Sequence, residues 1–121
     1  MNGPGTVINE QPTFPAVKHF PATFDFTDEF YQPKEYSRDK IDVLLRLDLS
    51  KVAPNAALHQ ADGDHPIAWA KMYGKGRVFF GSFAHDNRTW DNRDVQQMYL
   101  EAIKWSLGMT EGTPQPHPMK K

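Results

Sequence analysis

Residues 66–83 read PIAWAKMY, GKG and RVFFGSF, two apolar and aromatic runs separated by three residues, two of which are glycine. A loop of this length and composition between two such runs is typical of a β-hairpin. The sequence therefore predicts strands over 66–73 and 77–83, joined by a tight turn at 74–76.

The segments on either side of this hairpin predict a further strand and a helix. Residues 41–47 place apolar side chains on one face and the side chains of Asp42 and Arg46 on the other, which is typical of a strand. Downstream, Asp91 or Asn92 is suited to cap a helix over about 92–107. Gly108 follows, at the position where a helix commonly ends in a left-handed conformation.

The core is expected where the hairpin packs on this helix. Apolar positions recur along the helix at intervals of three and four, which gives it one buried face, made of Val95, Met98, Tyr99, Ala102, Ile103 and Ser106. Most of the core is expected to come from Val78, Phe80, Met98 and Ile103. The predicted class is α/β, a compact mixed sheet with a β-hairpin and a long C-terminal helix.

Length and the distribution of Pro and Gly predict one domain. The chain has 121 residues with ten Pro and eight Gly, which lie mostly near the two ends and at joints. We expect an extended lead-in over 1–13, a single domain over 14–108 and a Pro-rich tail over 109–121.

Charge and composition exclude several classes of protein. Lys and Arg total 14 against 15 Asp and Glu, so there is no basic excess of the kind that drives nucleic-acid binding. The chain has no Cys, which excludes disulfides, thiolate metal sites and cysteine nucleophiles. No apolar run has the length of a membrane span, and no signal peptide is visible. We therefore expect no membrane association and favour the cytoplasm, with a periplasmic or secreted location left open.

Two polar clusters carry side chains suited to chemistry. His85 and Asp86 follow the end of a predicted strand, where α/β folds usually place their sites, although such a loop pair also caps a following segment. Asp28, Glu29 and Tyr31 place two carboxylates beside a phenol, which suits sugar hydroxyls, a divalent ion or acid–base work, although a solvated turn has the same composition. Glu29, His85 and Asp86 are the candidate catalytic residues and the best candidates for metal ligands.

Two further residues are candidates for substrate contacts, and no cofactor is identified. Trp90 lies in a polar loop, where its ring is suited to stack on a sugar. Arg77 begins the second strand of the hairpin, where it pairs either with a substrate group or with a carboxylate across the turn. A divalent metal remains open as a cofactor, and no nucleotide-cofactor motif is present.

Segments from both halves of the chain resemble the ThuA-like (trehalose utilisation) family. Four segments resemble the C-terminal part of that family: HPIAW from His65, YGKGRVFF from Tyr73, HD at His85 and AIKWSLG from Ala102. Upstream, Phe20-Pro21 and the TDEFY of 27–31 resemble its leucine-proline and Asp-Glu-x-Tyr segments. The resemblance implies a fold like the C-terminal half of a flavodoxin-like, class I glutamine amidotransferase-like sandwich. It also implies a role in carbohydrate catabolism, acting on or binding a disaccharide or keto-sugar.

The strand end at His85 and the resemblance together predict where the site lies, and the resemblance predicts how the chain assembles. His85 and Asp86 leave the end of the hairpin's second strand, where a crevice is expected, and Asp28-Glu29 matches the pattern of the resembling family. We therefore expect the site between loop 84–91 and segment 28–31, with Asp28, Tyr31, Arg77 and Trp90 as substrate contacts. The N-terminal half of the family fold is missing, so the domain reads as truncated, and we expect a homodimer to cover the sheet. The alternative is a non-catalytic carbohydrate-binding or accessory module, or a remnant stabilised by homodimerisation.

Overall fold

The computed structural model describes residues 2–52 and 62–121 of the chain. Within these residues the elements are β1 Asn2–Asn9, β2 Thr23–Glu29, β3 Asp42–Leu47, β4 Pro66–Tyr73, β5 Gly76–Gly81 and α1 Arg93–Ser106, with two 3-10 turns at Leu49–Lys51 and Asn87–Asp91.

The five strands form one sheet in the order β2-β1-β3-β4-β5, and all four pairings are antiparallel. The predicted hairpin is confirmed as β4 and β5, and the predicted strand at 41–47 as β3. The α/β class is therefore confirmed, with strands that pair only in the antiparallel sense. All six residues of β3 are buried, including Asp42 and Arg46, whose side chains bond to the tail at Gln115 and Lys120.

The first strand lies inside the sheet, between the edge strand β2 and the central strand β3. We expected residues 1–13 to be an extended lead-in, but β1 pairs with β2 on one side and with β3 on the other. Val7 of β1 is fully buried in the core. The Gly and Pro residues of this segment favour a connection over a strand. The segment forms a strand because β2 and β3 pair with it on both sides, which local composition does not reveal.

The predicted helix is confirmed as α1. The side chain of Asn92 caps it by accepting hydrogen bonds from the main-chain nitrogens of Asp94 at 2.9 Å and Val95 at 3.2 Å. Gly108 follows its end with φ of 74°, the left-handed conformation expected of a residue that ends a helix. No helix in the described part of the chain has the length and apolar character needed to cross a membrane.

The core lies on the opposite side of β5 from the side that we expected. Phe79 packs edge-on against Tyr99 of α1, so the alternation of strand residues turns Val78 and Phe80 away from the helix. Phe80 is 41% exposed and Ile103 is 57% exposed, and of the four expected core residues only Met98 is fully buried. The buried stripe of α1 is Val95, Met98, Glu101, Ala102 and Trp105.

The tail at 109–121 packs along the domain. Trp105 donates from Nε1 to the carbonyl of Gly112 at 2.8 Å, and the main-chain nitrogen of Gln115 donates to Asp42 Oδ2 at 2.8 Å. Further along, Arg46 donates to the carbonyl of Lys120 at 2.9 Å. These contacts connect the tail to the end of β3.

A buried group of charges joins β1, β3 and the loops beside them. The carboxylate of Glu10, which is 1% exposed, binds Arg38 at 2.6 Å and Arg46 at 2.5 Å. Arg38 also binds Asp64 at 2.7 Å, and although burial opposes the shift, the guanidinium lowers the pKa of that carboxyl. These pairs hold the connection between β2 and β3 on the start of β4.

Candidate functional site

The loop after β5 is attached to the end of β2 by a buried carboxylate. Asp28 is 2% exposed, and its Oδ2 accepts from the main-chain nitrogen of Ala84 at 2.7 Å. Its Oδ1 accepts from the main-chain nitrogens of Asp86 at 3.1 Å and Glu29 at 2.9 Å. Because both oxygens accept from main-chain nitrogens, Asp28 positions the loop, and its expected contact with a substrate stays a prediction.

Ala84 has a backbone conformation that a residue with a side chain rarely adopts. Its φ is 84°, in the left-handed region, where a Cβ atom crowds the neighbouring carbonyl. Such strain persists only where surrounding contacts hold it, and it is common at functional sites. Here the hydrogen bond to Asp28 is one of the contacts that hold the turn, and the turn presents His85 to β2.

The side chains of Tyr31, His85 and Glu29, which we call the triad, form a continuous hydrogen-bonded series. Tyr31 Oη lies 2.5 Å from His85 Nδ1. His85 Nε2 lies 2.8 Å from Glu29 Oε2. Two segments that are 54 residues apart in sequence thus meet at these side chains as well as at Asp28.

The partners fix where the protons of the triad lie. An ionised Glu29 only accepts, so Nε2 of His85 carries a proton and donates it. In the neutral imidazole Nδ1 is then an acceptor, and the hydroxyl of Tyr31 donates to it. The arrangement can take a proton at the tyrosine oxygen, pass the tyrosine's own proton to His85 and stabilise the resulting imidazolium with Glu29.

The triad is open to solvent. The side chains of His85 and Glu29 are 49% and 33% exposed, and Tyr31 is 49% exposed as a residue. A polar ligand can therefore reach the phenol and the imidazole directly.

A cleft of about 500 Å³ lies beside β2 and the same loop. It is lined by Asp25, Phe26, Thr27, Asp86, Arg88, Thr89 and Asn92. The carboxylates of Asp25 and Asp86 and the guanidinium of Arg88 line the cleft together with Phe26. Such acceptors and donors complement the hydroxyl groups of a polyhydroxylated ligand.

Asp86 lines this cleft but is poorly suited to act as a base. Its carboxylate accepts from the guanidinium of Arg88 at 2.6 Å and from the main-chain nitrogen of Arg88 at 2.8 Å. The Arg88 side chain and main-chain bonds lower the pKa of Asp86 to about 2. A carboxylate this acidic takes up protons weakly near neutral pH, so the geometry favours the capping role over the expected catalytic one.

Two of the residues predicted as substrate contacts make their described contacts elsewhere. Arg77 donates to the carbonyls of Trp105 at 3.0 Å and Thr110 at 2.9 Å. It therefore lies at the C-terminal end of α1, about 20 Å along a 14-residue helix from the cleft. Trp90 stacks on Tyr99 at 5.4 Å and is 51% exposed, so its role as a sugar platform stays a prediction.

The predicted metal ligands do not converge. Among residues 2–52 and 62–121, no group of three His, Asp or Glu side chains is placed to hold a metal ion. The reason lies in the carboxylates, because Asp28 is bound to main-chain nitrogens and Asp86 is bound to Arg88. Only Glu29 and His85 of the candidate set face each other.

Sequence reasoning missed three residues of this region. Arg88 follows the HD pair by two positions and was read as loop. Ala84 gave no signal, since a positive φ at Ala cannot be read from composition. His65, whose Nε2 lies 2.9 Å from the carbonyl oxygen of Tyr31, was noted only as the start of the segment HPIAW.

Comparisons with known proteins agree with this architecture. Residues 2–106 match a family model described as ThuA, trehalose utilisation. The fold is similar to that of a ThuA-like protein from Bacteroides uniformis, with a TM-score of 0.68 at 20% identity, and one from Parabacteroides merdae, with a TM-score of 0.64 at 18% identity. These matches cover 94% and 88% of this chain but 47% and 40% of those chains, so it spans less than half of their length. No curated protein matches the chain.

Proposed function

Because the chain belongs to the ThuA family of trehalose utilisation, we propose that it acts in carbohydrate catabolism, binding a disaccharide or keto-sugar at the triad and moving a proton there. The observation that carries the proposal is the uninterrupted pair of hydrogen bonds from Tyr31 through His85 to Glu29. A phenol, an imidazole and a carboxylate in series are suited to exchange protons with a hydroxyl or with a carbon beside a carbonyl.

The surroundings of the triad support a sugar as the ligand. The cleft along β2 and the loop that follows His85 offers carboxylates to accept from vicinal hydroxyls and Arg88 to donate to ring or carbonyl oxygens. Phe26 contributes an apolar surface to the same cleft, and apolar sugar faces pack on such surfaces.

A titration tests the binding part of this proposal. We expect trehalose, and separately fructose as a ketose, to perturb the NMR signals of Tyr31, His85 and Glu29 in the isotopically labelled protein. Tyr31→Phe removes one hydrogen-bonding group, which should weaken binding roughly threefold to tenfold. Tyr73→Phe makes the same change at a residue that is 75% exposed on the hairpin, and it should bind like the parent. Equal affinities for the Tyr31 variant and the parent would contradict the proposal.

The proton-transfer part is tested by isotope exchange. In heavy water, we expect the hydrogen beside the fructose carbonyl to exchange for deuterium faster with the protein than in buffer alone. His85→Gln should remove the acceleration because Gln cannot hold the proton. If the sugars bind at the triad and exchange is no faster than in buffer, the non-catalytic carbohydrate-binding module is the better description.

We also propose that two copies of the chain associate through the edge at β5. Within the described residues β5 pairs only with β4, and 78–81 carry no charged side chain, whereas the opposite edge strand β2 is acidic. Native edges are usually guarded by charge. A groove of about 440 Å³ between β5 and α1 exposes Ile103 and Leu107 beside this edge. An antiparallel strand pairs with its own copy about a two-fold axis, so a second copy fits this edge.

A further inference from the structure

A second histidine lies directly behind the triad and takes no part in it. His65 is fully buried, and its Nε2 lies 2.9 Å from the carbonyl oxygen of Tyr31. A carbonyl only accepts, so Nε2 carries the proton and donates it. The other ring nitrogen, Nδ1, is buried without a hydrogen-bond partner among residues 2–52 and 62–121.

The backbone of His65 is itself fixed by the sheet. Its carbonyl accepts from the main-chain nitrogen of Leu47 at 2.9 Å, which ties it to the end of β3. The preceding residue, Asp64, binds Arg38 through its carboxylate and accepts from the hydroxyl of Tyr36 at its carbonyl. The dipeptide 64–65 thus holds the segment after β2 at three points, and Tyr31 is the point nearest the triad.

We propose that His65 is a positioning residue for the site at the triad: its Nε2–H fixes the carbonyl of Tyr31 so that the phenol stays on Nδ1 of His85. The inference rests on the proposed function only in taking the triad as the binding site. The contact between His65 and Tyr31 is part of the structure itself. Tyr31 stands just past the end of β2, where no strand pairing is seen for it. The bond to His65 gives the carbonyl of Tyr31 a fixed partner beyond the strand pairing.

The environment of His65 suits a permanent donor. Burial lowers the pKa of His65, which keeps the imidazole neutral and leaves Nε2 with its proton at neutral pH. A buried polar atom without a partner is unusual in folded proteins. The imidazole therefore leaves Nδ1 unsatisfied while making its one described side-chain bond through Nε2.

Three substitutions at His65 distinguish the effect of losing the hydrogen-bond donor from the effect of losing side-chain volume. In His65→Gln the side-chain nitrogen reaches the position of Nε2, so the bond to Tyr31 can be remade. In His65→Asn the nitrogen lies near the position of Nδ1 and falls short of the carbonyl. His65→Met fills similar volume with no donor at all. Gln is therefore the conservative rescue, and Asn is its matched polar control.

The readout is the ¹⁵N spectrum of the His85 ring, which distinguishes an imidazole fixed in one tautomer from one that exchanges between two. The parent and His65→Gln are expected to show a protonated Nε2 and an acceptor Nδ1. In His65→Asn and His65→Met, the signals of Nδ1 and Nε2 of His85 are expected to move toward the average of two tautomers. The hydroxyl proton of Tyr31 is expected to exchange faster with solvent. A parent-like His85 spectrum in Asn and Met, or an altered one in Gln as well, would overturn the proposal.

A measurement on the parent protein covers the case in which a variant fails to fold. A scalar coupling across the hydrogen bond from His65 Nε2 to the Tyr31 carbonyl carbon should be detectable, and its absence would also overturn the proposal. Both readouts are made without sugar. A failure of trehalose and fructose to bind would therefore count against the proposed function while leaving the effect of His65 on His85 measurable.

Discussion

The main-chain nitrogen of Ala84 lies 2.7 Å from Oδ2 of Asp28, and this contact fixes a strained turn to the end of an edge strand. The turn has a φ of 84° at Ala84, and it places His85 within hydrogen-bonding distance of both Glu29 and Tyr31. A buried carboxylate therefore determines the geometry of the triad without being part of it.

Replacing Asp28 by Asn should destabilise the protein and loosen the triad. The amide has one acceptor oxygen in place of two, so a main-chain nitrogen of the 84–86 turn loses its buried partner. We expect the free energy of unfolding to fall by about 2–3 kcal/mol in denaturant titrations, the range for hydrogen bonds to a charged group. Asp91→Asn removes the same charge from an exposed residue and should change stability by less than about 0.5 kcal/mol. Equal effects at the two positions would contradict this account.

Ala84→Gly should not lower the free energy of unfolding, whereas an ordinary Ala-to-Gly change lowers it. Glycine adopts a positive φ without the crowding that Cβ causes, and the relief is worth about 1–2 kcal/mol before the entropy of the unfolded glycine is subtracted. The net effect on the free energy of unfolding is expected to lie between zero and a gain of about 1 kcal/mol. Ala22→Gly, at an exposed residue without a positive φ, should lose about 0.5–1 kcal/mol. A comparable loss at Ala84 would show that the turn is not strained.

Local pattern was enough to predict the hairpin, the strand at 41–47 and the helix. Each has a self-contained signal, such as the two glycines of 74–76 or the cap at Asn92. What failed depended on neighbours distant in sequence. The face of β5 that meets α1 is set by Phe79 against Tyr99, and the strand at Asn2–Asn9 forms because β2 and β3 lie on either side of it.

The site was predicted in part, from the strand end at His85 together with the family resemblance. The TDEFY segment and the HD pair were expected to meet, and the structure brings them together at Tyr31 and His85. The different roles of the three carboxylates in these segments could not be predicted, because they depend on which carboxylate binds the main chain. Asp28 is buried under the turn and Asp86 is held by Arg88, which leaves Glu29 for the imidazole.

Acid should destabilise the fold through His65. Burial lowers the pKa of His65 below its ordinary value of 6.5, so below that pH the unfolded chain binds a proton that the folded protein does not. Stability from this residue is therefore complete above about pH 6.5 and is lost as the pH falls, by up to about 1.4 kcal/mol per pH unit. The free energy of unfolding, measured between about pH 7.5 and 5, should fall less steeply for His65→Gln than for the parent. Identical slopes would exclude His65 as the source.

Arg46→Met should be among the most destabilising single changes in the chain. It leaves the carboxylate of Glu10, which is 1% exposed, with Arg38 and the ring of His117 as its remaining described partners, and it removes a donor to the tail at Lys120. Removing one partner of a buried pair typically costs about 3–5 kcal/mol. Combining it with Glu10→Met should restore part of that loss, because the buried carboxylate that lost Arg46 is then removed as well. A double variant as unstable as the sum of the two single variants would show that the pair is not coupled.

Ile103→Glu distinguishes a solvated surface from an interface. Ile103 is 57% exposed in the single copy, so in a monomer the change should alter the free energy of unfolding by less than about 0.5 kcal/mol. If two copies meet at β5, the carboxylate falls beside the partner's apolar groove and should weaken association at least tenfold, equivalent to about 1.4 kcal/mol. Sedimentation velocity over a range of concentrations measures this. Leu100→Glu, on the same helix and 48% exposed but outside the groove, should leave association unchanged. A parent protein that sediments as a monomer at every concentration would refute the proposed dimer.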